Sequence, residues 1–259
     1  MAKPSPWTAF PYSGDYRHDA AALKKHWARL HSGDAEPWPK DAAVVAAWTL
    51  FHAGDFEQAF DAGLKAGGAG ITVANKAQCI YANYLEKSET KRLAMFLEAA
   101  ERAAAQQDTE PNNANAHYWQ AYALGRYGQG ISVTKALAQG LGGKVKAALE
   151  TVIQLAPKHA DAHIALGSFH AEVIDKVGKL LGRTQGADAA TGLKMFRQAL
   201  ELNPTSAIAM IEYANGLVML EGEKKMKEAE KLYAAAAACK PMDAMERLDV
   251  EMAKAELED

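Results

Sequence analysis

The four prolines after residue 39 constrain this chain more than any other feature. They stand at Pro111, Pro157, Pro204 and Pro241, spaced by 46, 47 and 37 residues. Three residues after each of the first three, the same kind of segment opens: Ala114-Asn-Ala-His117, Ala160-Asp-Ala-His163 and Ala207-Ile-Ala-Met210. Similar apolar runs lead into the prolines, as in Val152-Ile-Gln-Leu-Ala-Pro157 and Ala199-Leu-Glu-Leu-Asn-Pro204. Proline disfavours helix at the residue before it and cannot continue one, so each marks a helix end. The register predicts pairs of antiparallel helices repeated along the chain. No long strand pattern interrupts them.

Small residues recur at one register position, Ala121, Gly167 and Ala214, where they let paired helices approach closely. Together with the "A-L-x-L-x-P" ending, this resembles the tetratricopeptide (TPR) hairpin, whose period is about 34 residues. The last unit is close to that length, and the two before it carry roughly a dozen extra residues each. An earlier unit reads at Asp41–Ala66, where Trp48-Thr-Leu-Phe-His-Ala-Gly-Asp-Phe-Glu-Gln-Ala59 fits a TPR centre and Gly67–Gly70 supplies a glycine stop. Helices are expected near 71–86 and 89–107. Ser88 is placed to cap the second, and Leu93, Phe96, Leu97 and Ala100 are spaced for one buried face. An amphipathic helix over 243–257, with Met245, Leu248, Met252 and Ala255 on a stripe, closes the array. The expected fold is an all-α, TPR-like α-solenoid over residues 41–259, with four to five hairpins, enlarged repeats and a C-terminal capping helix.

Residues 1–40 are different in kind. Five of the nine prolines fall there (Pro4, Pro6, Pro11, Pro37, Pro39), together with Trp7, Phe10, Tyr12, Tyr16, Trp27 and Trp38. Proline opposes long regular helix, and the aromatics offer large apolar area. The segment reads as an extended arm with one short helix near 17–31 and a turn at Gly33–Pro39. It can cap the first hairpin, as repeat arrays require, or reach for a partner.

The net charge of −3 lacks the basic excess expected of a nucleic-acid binder. Cys79 and Cys239 are too few for a disulfide framework. The start, Met1-Ala-Lys-Pro-Ser-Pro-Trp7, has no apolar signal run, and no stretch is long and apolar enough for a membrane span. A cytoplasmic location is the expectation.

The enlarged units carry two glycine-rich inserts. Gly125-Arg-Tyr-Gly-Gln-Gly130 leads into Ile131–Lys146, and Val177-Gly-Lys-Leu-Leu-Gly-Arg-Thr-Gln-Gly-Ala187 occupies the matching place in the next unit. Inserts of this kind often mark the binding face of a solenoid. With the motifs between Tyr122 and Pro204, they make the chain similar to the TRAP-transporter T-component family and the related regulator-of-microtubule-dynamics-like TPR proteins. The T-component resemblance implies a pore-bearing protein that partners a substrate-binding protein. The chain shows neither leader nor lipobox, which speaks against a periplasmic role.

No catalytic constellation is evident. His159, His163 and His170 share a helix, with the first two at an i,i+4 spacing that could present a metal. The glutamate of an H-E-x-x-H site is missing, so packing or capping roles are expected. Gly140-Leu-Gly-Gly-Lys144 lacks both the first glycine of a phosphate loop and the hydroxyl after its lysine. Ser132, Ser168 and Thr184 have no elbow motif or identifiable base. A non-enzymatic protein without cofactor or metal is expected.

What remains is a concave groove. The TPR register points Val44, Trp48, Phe51 and His52 inward from the first hairpin. From the proline-marked units it adds Asn115, Tyr118, Tyr122 and Arg126, then Asp161, Ile164, Ser168 and Glu172, then Ile208, Ile211, Asn215 and Met219. Such a wall suits a protein or peptide segment, or alternatively a small apolar or anionic ligand. It has no inward lysine for a carboxylate clamp. The chain's own arm or last helix could also fill it.

Overall fold

The computed structural model describes residues 7–258. Among them are thirteen α-helices, one 3-10 turn and no strand. Pro4 and Pro6 of the expected arm lie outside the described residues. The helices run α1 (Ala20–Leu30), α2 (Ala42–Ala53), α3 (Phe56–Ala66), α4 (Gly70–Tyr84), α5 (Glu89–Thr109), α6 (Ala114–Gln129) and α7 (Val133–Ala138). They continue as α8 (Leu141–Leu155), α9 (Ala160–Thr184), α10 (Ala189–Leu202), α11 (Ala207–Glu221), α12 (Met226–Ala237) and α13 (Ala244–Glu258). This is an all-α solenoid of helical hairpins. The first helices of the proline-marked units begin at Ala114, Ala160 and Ala207, as the register requires.

The caps explain those starts. Asn113, His159 and Ser206 occupy equivalent positions and each accepts a backbone N–H from the first turn. Such caps satisfy donors that a helix start leaves without partners. The register histidines have a related task. His117 Nε2 lies 2.9 Å from the Pro111 carbonyl, and His163 Nε2 lies 3.1 Å from the Pro157 carbonyl. Each ring donates to the proline that ended the preceding helix, tying the next helix to that turn.

The chain forms two compact units. The first comprises residues up to Leu30, Glu36–Gly130 and Met242–Met245. Here α2 pairs with α3, α3 with α4, and α5 with both α4 and α6. Helix α4 is buried nearly all round, so its polar residues need internal partners. Arg102 supplies them for Asn75 and Gln78. Its Nε donates to Asn75 Oδ1 at 2.7 Å, and its Nη2 donates to Gln78 Oε1. Gln78 Nε2 donates in turn to the Met95 carbonyl at 3.0 Å. Lys76, 1 % exposed, holds its ammonium 5.1 Å from the Phe51 ring, 5.5 Å from Trp48 and 5.9 Å from Trp119. In a desolvated setting such cation–π contacts contribute about 2 kcal/mol.

The N-terminal arm packs into this first unit. Trp7 stacks on Tyr81 at 4.2 Å, and the Tyr81 hydroxyl accepts the Thr8 N–H at 3.0 Å. Phe10 lies over Gly54, whose φ of 89° ends α2 and whose missing side chain makes room for the ring. Trp27 from α1 meets Trp48 edge-on at 5.7 Å and donates its indole N–H to the Glu36 carbonyl at 2.8 Å.

The second unit comprises His31–Ala35, Ile131–Pro241 and the chain from Glu246 on. Helix α9 packs on α8, α10 and α11, and α11 on α12. Phe196 of α10 fills a slot made by two glycines, Gly167 on α9 and Gly216 on α11, and stacks on Tyr213 at 5.6 Å. Ala207, Ile211, Ala236, Val250 and Ala253 form a further apolar cluster. The closing helix differs in detail from the expected stripe. Ala244, Leu248, Asp249, Val250 and Ala253 are its buried residues, while Ala255 is exposed.

Candidate binding site

The expected groove wall divides into residues that are sealed and residues that are accessible. Trp48, Phe51 and His52 are 0 % exposed, and Val44 is 2 % exposed. They form core rather than an open wall, because Trp27 covers Trp48 and approaches His52 at 6.2 Å. His52 Nδ1 also donates to Asp243 Oδ2 at 2.7 Å. Asn115 is buried and donates to Glu36 Oε2 at 2.6 Å. Tyr118 is buried too, in a ring cluster with Trp119 and Tyr122. The Arg126 guanidinium lies 5.3 Å from the Tyr122 ring centre. In this unit Trp27 takes up the faces of Trp48 and His52, and Glu36 takes up Asn115.

In the second unit the expected residues are more dispersed. The half-buried Asp161 donates its backbone N–H to the Gly33 carbonyl at 3.0 Å. Ile164 is buried beside Ala199 and Ala209, with Ile208 against that cluster. Ser168 donates to Glu212 Oε2 at 3.0 Å, and Glu172 pairs with Lys176 at 3.6 Å. Ile211 belongs to the apolar cluster beneath α13.

Asn215 and Met219 come together in an open cleft. It has a volume of about 430 Å³ and lies between α11, α12 and the end of α13. Val218, Met219, Met226 and Leu257 supply its apolar surface, and Glu230 and Glu256 supply two carboxylates. Met219 is 37 % exposed, Met226 44 % and Leu257 48 %. The Tyr233 hydroxyl donates to Asn215 Oδ1 at 2.6 Å, fixing a polar hook among apolar walls. Burial, with the Glu256 carboxylate nearby, pushes the Tyr233 phenol up, so it remains a neutral donor. Met226, Tyr233 and Leu257 lie outside the first helices of the repeats, which is why the inward-position rule passes over them. Their signal is weaker: apolar residues left on the solvent stripe of α12 and at the end of α13.

The histidine-rich helix has a structural explanation. His159 caps α9 by accepting the Ala162 N–H at 3.1 Å, and His170 Nδ1 accepts the Asp188 N–H at 3.2 Å. Burial and the Lys146 ammonium hold the His170 ring below its ordinary value, which suits an acceptor. Cys79 is fully buried and its thiol is pushed up to about 12, so it is not a nucleophile at neutral pH. No described helix is long and apolar enough to cross a membrane.

Known proteins share this arrangement of helices. A crystal structure of a thermophilic TPR protein from Thermus thermophilus matches with a TM-score of 0.58 at 16% identity, covering 82% of this chain and 97% of that one. At that identity the likeness shows the fold, which is TPR-like. No curated protein sequence matches the chain. The family model described as "Regulator of microtubule dynamics protein 1-3" matches residues 71–258, from α4 to the last described residue. That span is well over half of the sequence, and the chain belongs to this family.

Proposed function

We propose that this chain is a non-catalytic interaction protein that docks a protein segment in the cleft between α11, α12 and α13. One observation carries the reading. In the cleft, residues pointed inward by the repeat register, Asn215 and Met219, stay open beside further apolar side chains. An apolar floor of methionine, valine and leucine adapts to an amphipathic helix laid into it. The carboxylates of Glu230 and Glu256 at the same cleft favour a segment that carries lysine or arginine next to its apolar face. TPR-like folds and the family assignment support a scaffold role in general terms. The partner's chemistry comes from the cleft itself.

Selection from a random peptide library on the immobilised full-length chain tests this. Enrichment of peptides with apolar residues at helical spacing and flanking basic residues is expected, with loss of that enrichment on a Met219→Glu chain. Enrichment of acidic peptides, or enrichment indifferent to Met219→Glu, would count against the cleft.

A further inference from the structure

Residues 131–146 and 177–187 of the two glycine-rich inserts belong to the second unit, and the proposed docking cleft makes no use of them. Helix α7 packs on α8. The end of the other insert also reaches α8, where Gly186 lies against the Lys146 side chain. These segments hold large apolar side chains out in solvent. On α7, Val133 is 39 % and Leu137 49 % exposed. Past the break in α9 at Gly178, where φ is 80°, Leu180 is 80 % and Leu181 59 % exposed. Among the described residues, Leu180 is the most exposed large apolar side chain.

The same segments are rich in positive charge. Residues 131–146 and 175–186 contain Lys135, Lys144, Lys146, Lys176, Lys179 and Arg183, against a single acid, Asp175. The whole chain is nevertheless net negative at −3. Lys146 and Lys176 are drawn to helix carboxylates, Glu150 and Glu172, while Lys179 directly precedes the exposed leucine pair and Arg183 follows it after Gly182, within the field of Asp188. Exposed apolar side chains need a cover. A second copy would bring like charges together over the same patch. Leucines rimmed by lysine and arginine match instead the interface of an anionic bilayer, where apolar side chains enter the acyl boundary and cations meet phosphates.

We propose that the insert end of the second unit docks peripherally on anionic lipid membranes, with Leu180 and Leu181 entering the headgroup boundary and Lys179 and Arg183 pairing with lipid phosphates. The attachment lies on the surface and needs no spanning helix.

Flotation of the full-length chain with phosphatidylcholine vesicles, with and without phosphatidylserine as a minor component, tests the idea. Binding to the phosphatidylserine vesicles is expected, at least about tenfold stronger than to phosphatidylcholine alone and weakened by salt. A Leu180→Ser, Leu181→Ser chain and a Lys179→Glu, Arg183→Glu chain should each lose that binding by at least about tenfold. Both should melt like the parent, since the altered side chains are exposed. Met219→Glu should leave vesicle binding intact, which separates this surface from the cleft. Three results would overturn the proposal. One is no binding to either vesicle, and another is equal binding to both. The third is self-association of the parent, abolished by the leucine substitutions, without vesicle binding.

Discussion

The Nδ1 of His52 lies 2.7 Å from Asp243 Oδ2, with both side chains sealed from solvent. This contact joins the second helix of the chain to the residue just before the last one, across 191 positions of sequence. It ties residues 242–245 to the first helical hairpin within the first unit. Replacing Asp243 by Ala leaves a buried imidazole N–H without its acceptor, at a cost of about 1–3 kcal/mol. For a chain of this size each kcal/mol lowers the melting temperature by about 2–4 °C. Thermal unfolding followed by circular dichroism should show that drop, and an unchanged melt would mean the contact contributes nothing.

Phe196 is held between Gly167 and Gly216, so the slot has no room for a methyl group. Gly216→Ala should destabilise the second unit by about 1–3 kcal/mol through overpacking. Adding Phe196→Leu to the Gly216→Ala chain should recover part of the loss, because the smaller side chain reopens the slot. Denaturant unfolding of the single and double variants distinguishes this from simple helix propensity, which favours alanine over glycine.

The His170 ring accepts the Asp188 N–H, which only its neutral form can do. Burial and the Lys146 charge lower its folded-state proton affinity below the ordinary value of 6.5. The unfolded chain then binds the proton more readily. The stabilising contribution is fully present above pH 6.5 and is lost as pH falls through the lower folded value. Melting temperature measured across this range should fall on the acid side, and His170→Asn should flatten that part of the profile. An identical slope in the variant would remove His170 as the cause.

Cys79 is fully buried with its thiol pushed up to about 12, whereas Cys239 is half-exposed. Cys239 should react with a thiol reagent in the native protein, and Cys79 only after denaturant is added. Mass spectrometry of the labelled chain reads both sites directly. Native labelling of Cys79 would contradict the burial of α4.

The sequence register and the structure agree closely where the signal is local. Prolines, caps and small residues act within a few positions of themselves, so the starts at Ala114, Ala160 and Ala207 were legible, as was the Ser88 cap of α5. The inward positions of the repeat were legible only as geometry. Their accessibility depends on what covers them, and Trp27 reaches Trp48 from an arm with no repeat register. The polar partners of α4 were hidden for a similar reason. Arg102 meets Asn75 and Gln78 through the pairing of α4 and α5, which no spacing within either helix encodes. In the cleft, Asn215 and Met219 were indicated by register, while Tyr233 and Leu257 come from neighbouring helices that the inward rule does not address.

The most direct test of the functional account is a calorimetric titration of a basic, apolar helical peptide, selected on the parent chain, into three proteins. These are the parent, Met219→Glu and Tyr122→Ala. Binding to the parent and to Tyr122→Ala should be alike, with loss of at least about 1.4 kcal/mol, a factor of ten, in Met219→Glu. Binding that survives Met219→Glu but disappears with Tyr122→Ala would contradict the cleft and return the partner to the aromatic face of the first unit.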